Sequence, residues 1–468
     1  MTTRVVFALL FLFLLLTRLC HINILWAEED LPLATAIQIL GGKAIYRDVW
    51  FDKPPLVAGI YLLWGAHIGW LLRVAGALYA WLVSFLAYRF GKDVWGRGEG
   101  LLAAALAAFF LTFGIPGAVV PLAADMLMVA PHLAAVWLAW RRRAFLSGLC
   151  AGLALLVNAK AWYVAAFCLL VLLRQGLPFV AGFALPNLAA LAWFLWQGSL
   201  GEYYLQVWRL GILYAQNTFL EDPVRNGMVR TLNWAGFHLA LVAGAALFWW
   251  RDRTGDRGRF ALWALLSLAA VATGLRFFPR YYLQLLPVFV MAGARGISLL
   301  GRRKAVVLAL LLIPLVRFAP RYGVLAYELA AGREHQWRDV LMDQDSRAAS
   351  RFLGENARPG DTLFVWGYRP DVFAYTRMPA ASRFLESQPL TGVLADRHLT
   401  QTTRIPAGWT GANRTELARS RPDWLLDGLG PYNPALAITG YPDLREWLGN
   451  YREVRRTSDT VIYRRLAP

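Results

Sequence analysis

Cysteine and histidine are scarce in this chain of 468 residues, which contains three of the former and six of the latter. Cys20, Cys150 and Cys168 all lie in apolar segments, so their spacing predicts neither a disulfide framework nor a metal site. The sequence has no P-loop, GxSxG or HExxH pattern, which argues against P-loop NTPases, α/β-hydrolases and zinc peptidases. It also has no internal repeat and no low-complexity tract, which argues against a repeat protein.

Charge is absent from long stretches of the chain, including residues 5–16, 101–114 and 305–315. Hydrophobic residues make up 58% of the sequence, more than a soluble protein of this length could bury. The pattern predicts a polytopic α-helical membrane protein in contact with membrane lipids. Basic residues outnumber acidic ones by 48 to 30, but they cluster in alternate loops, which indicates membrane topology and not nucleic-acid binding.

The hydropathy pattern predicts about 11 transmembrane helices, whereas the apolar segment 56–68 follows two prolines and is expected at the membrane interface. The first run could be mistaken for a signal peptide, but an acidic cluster follows it and Leu19 stands before Cys20. We therefore expect an uncleaved first span. The predicted spans are 4–26, 70–90, 99–117, 126–140, 144–158, 160–174, 177–197, 234–250, 259–276, 282–300 and 304–319.

Loop charge predicts the orientation, because arginine and lysine concentrate in cytoplasmic loops. The basic loops alternate along the chain and would share one side, which places the N-terminus in the cytoplasm of a multi-pass inner-membrane protein. The loops expected to face outward are 27–69, 118–125, 198–233 and 276–281, together with everything after residue 320.

The composition changes near residue 333, where the chain becomes polar and rich in turn residues. Residues 361–367 and 423–427 are typical of strands, and the alternation over 454–466 indicates a terminal hairpin. The sequence thus predicts a transmembrane bundle over 1–320, with external loops at 27–69 and 198–233, and a small α/β domain over 333–468 in the periplasm or outside the cell.

Charged residues at membrane depth or beside it all fall on the predicted external side. Charge near hydrocarbon is costly, so these residues are candidates for function. Two members of the set also have a plainer interpretation. The acidic run Glu28–Asp30 could be a solvated loop boundary, and Asp125 could cap a helix. The other members of the set are Asp52, Lys53, Arg276 and Arg280.

Several motifs occur together in a fixed order. An acidic pair follows the first span, then G-x-x-x-Y-R-D over 42–48 and D-K-P-P-L over 52–56. Further motifs cover 121–126, 152–160 and 276–287. This set resembles the GT-C glycosyltransferases, in particular bacterial members akin to protein O-mannosyltransferases and to the aminoarabinose transferase that modifies lipid A. The resemblance covers most of the chain.

The resemblance implies a GT-C-like fold and an inverting glycosyltransferase that works on the external face. Its donor would be a sugar on a polyprenyl phosphate, and its acceptor a lipid, a glycan or a protein. Glu28 or Glu29 matches the family's first acidic position, where a general base is expected, and Asp125 matches the second. We favour Glu28 over Glu29, although the motif does not fix the register.

The resemblance also implies where the donor phosphate binds. Lys53, Arg276 and Arg280 are expected to neutralise it, beside Tyr281. Many relatives have His-Tyr where this chain has Arg280-Tyr281. Asp52 matches a metal-binding position of the aminoarabinose transferase, but the loop 198–233 lacks the histidine that completes that site. A divalent metal is thus possible but doubtful, and no other cofactor is indicated.

Two other classes of function fit parts of the sequence. A transporter or lipid flippase would usually have polar groups near the bilayer midplane and paired, broken helices. In this chain the charges are expected at one interface, and no halves repeat. A structural subunit of an envelope complex would leave the Asp52–Lys53 cluster unexplained.

Overall fold

The computed structural model describes residues 2–115, 117, 119–218 and 220–466. Its internal contacts divide the chain into two compact units, each built from three separate segments. The first unit comprises Met1–Ile22, Trp70–Ala192 and Thr218–Glu334. The second unit comprises Asn23–Gly69, Trp193–Asn217 and His335–Pro468.

In its described part, the first unit contains helices joined by turns and loops and no β-strand, as its long apolar runs predict. A helix satisfies its own backbone hydrogen bonds, which is the main requirement inside a lipid bilayer. Its α-helices are Thr3–Leu19, Trp70–Val94, Arg97–Phe110, Ala124–Leu127, Val129–Trp140, Ala144–Leu155, Ala161–Val171, Gly176–Trp196, Pro223–Phe237, Leu239–Arg251, Arg257–Ala272, Leu286–Ser298, Lys304–Leu308 and Leu312–Ala331. Short 3₁₀ segments lie at Leu173–Gln175, Pro279–Gln284, Gly301–Arg303 and Ala309–Leu311.

Every predicted span overlaps one of these helices, but most of the helices are short. By length and composition, three stretches of the described chain could each cross a membrane: Trp70–Val94, Leu173–Trp196 and Gly301–Ala331. A fourth candidate is the pair Pro223–Phe237 and Leu239–Arg251, which is bent by 90°. The membrane class is therefore confirmed, and the number of about 11 spans stays a prediction.

Three predicted boundaries differ from the structure. The first helix ends at Leu19, not near residue 26, and a turn follows it. The predicted span 234–250 is interrupted at His238, whose backbone angles of −96° and 27° are not helical. The last predicted span continues from 319 to Ala331, because the helix tolerates the internal Pro320.

Glycines allow two helix pairs of the first unit to approach closely. A Cβ at Gly296 would overlap the carbonyl oxygen of Gly244 on the facing helix. A Cβ at Gly148 would likewise overlap the carbonyl oxygen of Phe179, and one at Gly182 that of Phe145. Small residues at such crossings bring backbones together, which is how membrane helices gain packing energy.

The second unit contains a four-stranded sheet with the order β1-β2-β4-β3. Its strands are β1 (Leu363–Trp366), β2 (Trp424–Asp427), β3 (Tyr451–Arg456) and β4 (Val461–Arg465). β1 and β2 are parallel, and the other pairs are antiparallel. The predicted C-terminal α/β character is confirmed, including both single strands and the terminal hairpin.

Helices surround this sheet and complete the second unit. The α-helices are Asp30–Leu40, Leu56–Gly59, Leu200–Tyr203, Leu210–Gln216, Arg338–Asn356, Asp371–Thr376, Gln388–Thr391, Thr410–Arg419 and Arg445–Leu448. One π-helix covers Tyr204–Arg209, and 3₁₀ turns lie at Ile60–Trp64, Pro434–Leu436, Ile438–Gly440 and Pro442–Leu444.

Residues distant in sequence share the core of the second unit. Trp50 and Leu210 belong to the same buried cluster as Phe364, Trp366 and Leu425 of the sheet. The backbone N–H of Trp50 donates to the carbonyl of Arg383 at 2.7 Å. The segment after the first helix is therefore an integral part of this unit.

Candidate active site

Asp125 of the first unit is buried among polar side chains. It is on the short helix Ala124–Leu127 and is only 7% exposed. The amide of Asn158 donates to one carboxylate oxygen at 3.1 Å, and the Arg280 guanidinium lies 3.7 Å from the other. The residue at the helix N-cap is Ala123, and no side-chain hydrogen bond caps this helix. Asp125 is thus held by two side chains from later segments of the chain and does not act as a cap.

Aromatic rings and cations complete the surroundings of Asp125. The Lys160 ammonium lies 2.9 Å from the centre of the Tyr281 ring, and the Arg280 guanidinium lies 5.7 Å from the same ring. Such cation–π contacts stabilise a charge where water is limited. Together these side chains form a cluster, the Asp125 cluster, made of Asp125, Asn158, Lys160, Arg280 and Tyr281.

The loop that carries Arg276 has unusual backbone angles. Leu275 and Phe277, on either side of it, have φ values of +53° and +50°. Left-handed backbone at a non-glycine residue costs on the order of 1–3 kcal/mol and persists only where the surroundings enforce it. The Arg276 carbonyl accepts a hydrogen bond from the Asn226 side-chain amide at 3.3 Å, and Arg276 is only 2% exposed. The backbone on both sides of Arg276 is therefore held in a defined conformation, and Arg280 follows four residues later.

The acidic run after the first helix lies in the second unit. Glu28 has φ +82° and is half-buried, whereas Glu29 is fully buried. The backbone N–H groups of Glu28 and Leu31 donate to Asp30 at 3.0 and 2.7 Å. The carboxylate of Asp30 thus shapes the turn, and the partly exposed Glu28 is the more accessible of the two predicted bases.

Asp52 and Lys53 of the D-K-P-P-L motif form an ion pair at 3.2 Å. The preceding motif supports them, because the Tyr46 hydroxyl donates to the Lys53 carbonyl at 2.9 Å. Gln206 clamps the same segment: its amide donates to the Tyr46 carbonyl at 2.8 Å and accepts from the Phe51 N–H at 2.9 Å. The motif residues are therefore held in a defined geometry.

Glu386 is a charged neighbour of this motif that the sequence did not reveal. It is 5% exposed, and burial raises the pKa of its carboxyl well above the usual range. The nearby Asp52 carboxylate raises that pKa further, while Lys53 lowers it. Burial also raises the pKa of Asp371. These carboxyls lie in a polar stretch, where nothing in the sequence marks an acid as buried.

The metal expectation for Asp52 finds no matching donor set. Over the residues that the structure describes, there is no group of three or more His, Cys, Asp or Glu side chains arranged to hold a metal ion. The carboxylate of Asp52 instead pairs with Lys53. The residues present therefore do not fit a metal centre, and no chemical step is assigned to one.

Two members of the Asp125 cluster, Asn158 and Lys160, had no role assigned from sequence. Both belong to the motif 152–160, which places a polar residue and a lysine directly after an apolar helix. A lysine in that context is itself a signal of function, because charge near hydrocarbon is costly. The structure brings it to Tyr281, 121 positions further along the chain.

The comparison with solved structures identifies the fold. Over 99% of its length this chain matches 98% of ArnT from Cupriavidus metallidurans bound to undecaprenyl phosphate, with a TM-score of 0.63 and 13% identity. The apo form of the same protein matches with a TM-score of 0.61 and 13% identity, over 98% of this chain and 97% of that one. The fold is of the GT-C type.

A second GT-C protein is also similar, at a lower level. AglB, the oligosaccharyltransferase of Archaeoglobus fulgidus, matches 90% of this chain over 69% of its own length, with 12% identity and a TM-score of 0.49. No protein-family model and no curated protein sequence matches the chain. The match to ArnT confirms the predicted GT-C resemblance at the level of the fold.

Proposed function

We propose that this chain is an inverting glycosyltransferase that uses a sugar carried on a polyprenyl phosphate. The fold supports this, because the match to ArnT extends over nearly the full length of both chains and includes a form bound to undecaprenyl phosphate. The observation that carries the proposal is the Asp125 cluster. It places a carboxylate, an arginine and a lysine together among apolar helices. Charged side chains are costly there, and the binding of a charged substrate group would explain their presence.

The cations are proposed to bind the donor phosphate. Such a donor keeps its prenyl tail in the bilayer and its phosphate at the interface. Arg276, Arg280 and Lys53 are the residues that we propose as phosphate ligands. Arginine is suited to this task because its planar guanidinium donates two parallel hydrogen bonds to phosphate oxygens. The Tyr281 ring makes cation–π contacts with both Arg280 and Lys160.

The acids are proposed to handle the proton of the acceptor. In an inverting transfer, a carboxylate removes a proton from the acceptor hydroxyl while the oxygen attacks the anomeric carbon and the polyprenyl phosphate leaves. Glu28 is proposed as that base because it is partly exposed, and Asp125 as the second acid, held by Asn158 and Arg280.

The orientation also stays a proposal. The N-terminus is assigned to the cytoplasm, and residues 333–468 are assigned to the periplasm. Single cysteines at positions 142 and 382, in a background without the three native cysteines, should react with a membrane-impermeant maleimide on opposite sides of the inner membrane. Equal reactivity of both sites in intact spheroplasts would contradict this assignment.

The donor assignment is tested by the lipid that the protein retains. Mass spectrometry of the full chain, purified in mild detergent, should detect a polyprenyl phosphate or its glycosylated form. The amount should fall at least tenfold in Arg280→Gln and stay unchanged in Arg259→Gln, a variant of an exposed arginine paired with Asp256. Equal retention in both variants would remove Arg280 from the donor site. No polyprenyl lipid in any sample would contradict the donor class.

A further inference from the structure

A pocket lined by arginines opens on the sheet of the second unit. None of its residues has a role in the glycosyl transfer proposed above. Its volume is about 420 Å³. Four arginines and two aspartates line it: Arg358, Arg452, Arg464, Arg465, Asp361 and Asp423. The formal charge of these six side chains is therefore four positive minus two negative, or +2. We call this site the arginine pocket.

Two of its arginines oppose each other directly across the sheet. Arg452 of β3 is the antiparallel partner of Arg464 of β4. Like charges at directly opposite positions destabilise a sheet pair. Arg464 cannot easily turn away, because its guanidinium lies 4.7 Å from the centre of the Trp424 ring and donates to the Asn356 carbonyl at 3.4 Å. An anion between the two guanidinium groups would remove this repulsion.

The two aspartates leave the pocket with a net positive charge, because four arginines outnumber them, and their oxygens already accept from groups of the surrounding framework. Asp361 accepts from the Arg358 backbone N–H at 3.0 Å and from the Trp424 indole at 2.8 Å. Asp423 accepts from the Thr362 N–H at 2.9 Å and pairs with Arg465 at 2.9 Å. Both carboxylates are thus part of the framework that joins β1, β2 and the chain end.

The remaining guanidinium groups belong to Arg358 and Arg452, which are exposed. Within the described ranges, neither group makes a hydrogen bond, an ion pair or a ring contact. The pocket therefore combines two arginines anchored by the fold, Arg464 and Arg465, with two whose donors are available. Such an arrangement suits anion binding, because two of the guanidinium groups are already held in place and the other two can donate hydrogen bonds.

We propose that the arginine pocket binds a phosphate group. Guanidinium forks match the tetrahedral oxygens of phosphate, which can accept two hydrogen bonds from each of several arginines. The group can come from a soluble phosphorylated molecule or from the headgroup of an anionic phospholipid, because both present the same oxygens. The site is separate from the donor site proposed above and does not depend on it.

Binding of inorganic phosphate to the detergent-purified full chain tests the proposal. A phosphorus-31 NMR titration should give a dissociation constant for phosphate that is at least tenfold higher in the double variant Arg358→Gln/Arg452→Gln than in wild type. The matched control is Arg419→Gln, an exposed arginine of the same unit that does not line the pocket. Binding that is equal in wild type and the double variant, or absent in wild type, would overturn the proposal.

The repulsion across β3 and β4 supplies a second measurement. Without phosphate, Arg452→Gln should be as stable as wild type or more so, since it removes one of two opposed charges. With phosphate, wild type should gain thermal stability and the variant should gain less. If Arg452→Gln is instead less stable in phosphate-free buffer, the arginine is part of the framework and the anion site is refuted.

Nanodiscs distinguish the two sources of the phosphate group. If a phosphatidylglycerol headgroup occupies the pocket, it competes with inorganic phosphate. Phosphate should then bind at least tenfold more weakly in phosphatidylglycerol nanodiscs than in phosphatidylcholine nanodiscs. That result assigns the pocket to a lipid headgroup. Equal binding in both lipids assigns it to a soluble phosphorylated ligand. Both outcomes require the loss of binding in the double variant, so the test of the pocket itself stays independent of the source.

Discussion

The two units handle buried charge in different ways. In the first unit, charged side chains inside the bundle are few, and those around Asp125 contact one another or aromatic rings. In the second unit, buried charged groups are common and join strands, helices and loops, as Arg369 does with Asp345. We propose that the charge around Asp125 serves a substrate. The pairs of Arg295 with Glu99 and Asp252 in the first unit, and much of the charge in the second unit, instead hold the architecture together. The predictions below test this contrast.

The largest expected effect is on the stability of the second unit. Arg369 is 4% exposed and donates to Ser346 at 2.9 Å and to the Met342 carbonyl at 2.7 Å, beside Asp345 at 3.2 Å. Arg369→Met would leave the Asp345 carboxylate buried without its cation, which costs about 3–5 kcal/mol. Hydrogen exchange of the sheet amides should show this loss.

A surface ion pair of the same sheet provides the control. Arg456 and Glu453 lie 3.0 Å apart, and both side chains are largely exposed. Arg456→Met should leave the stability of the sheet nearly unchanged, because exposed pairs contribute little. Similar losses in the two variants would mean that burial does not decide the role of these charges.

The second effect depends on pH. Burial raises the pKa of Asp343 to about 6, although Arg347 opposes the shift. The folded state then holds a proton that the unfolded state releases near pH 4, so this group stabilises the fold at low pH. Its contribution is lost as the pH rises from about 4 through about 6. At about 1.4 kcal/mol per pKa unit, the change is about 3 kcal/mol.

The variant Asp343→Asn isolates this contribution, since an amide does not titrate. Its stability relative to wild type should rise by about 3 kcal/mol between pH 4 and pH 7, as measured by hydrogen exchange of the helix Arg338–Asn356. A constant difference between the two proteins over this range would show that the Asp343 pKa is not raised in the folded state.

The third effect is on activity and concerns the first unit. Asp125→Asn should lower the rate of transfer by about a hundredfold, the range for a positioned acid–base group. Its thermal stability should change little, because asparagine can still bond to Asn158. The control is Asp93→Asn, which removes an exposed ion pair with Arg141 and should leave the rate unchanged. A normal rate in Asp125→Asn would break the contrast between the units.

The smallest effect is on donor affinity. Arg280→Gln and Lys53→Gln should each raise the KM for the donor about tenfold, because each removes one charge-assisted contact with the phosphate. The KM for the acceptor should stay within about twofold. A selective increase in the acceptor KM would move these cations from the donor to the acceptor.

The sequence was most informative where a residue stood out against its surroundings. Asp125, Arg276 and Arg280 interrupt apolar runs, so they could be selected from the sequence alone, and the structure brings two of them together. The strands near residues 363 and 424 were recognisable for the same reason: each is a short apolar segment between turn residues.

Other features depend on contacts that local patterns do not contain. Glu386 lies among polar residues, and only the fold shows that it is buried. The packing of Trp50 against Phe384 joins positions more than 300 residues apart. The break at His238 was missed because the residues on both sides are helical and apolar enough to look continuous.

The central claim is that the chain transfers a sugar from a polyprenyl phosphate, and one assay addresses it directly. The full chain in liposomes would be given a panel of undecaprenyl-phosphate-linked sugars with an envelope extract as acceptor, and the release of undecaprenyl phosphate would be measured. We expect release from at least one donor, about a hundredfold slower in Asp125→Asn. Release from none of the donors, or equal release by wild type and Asp125→Asn, would contradict the account.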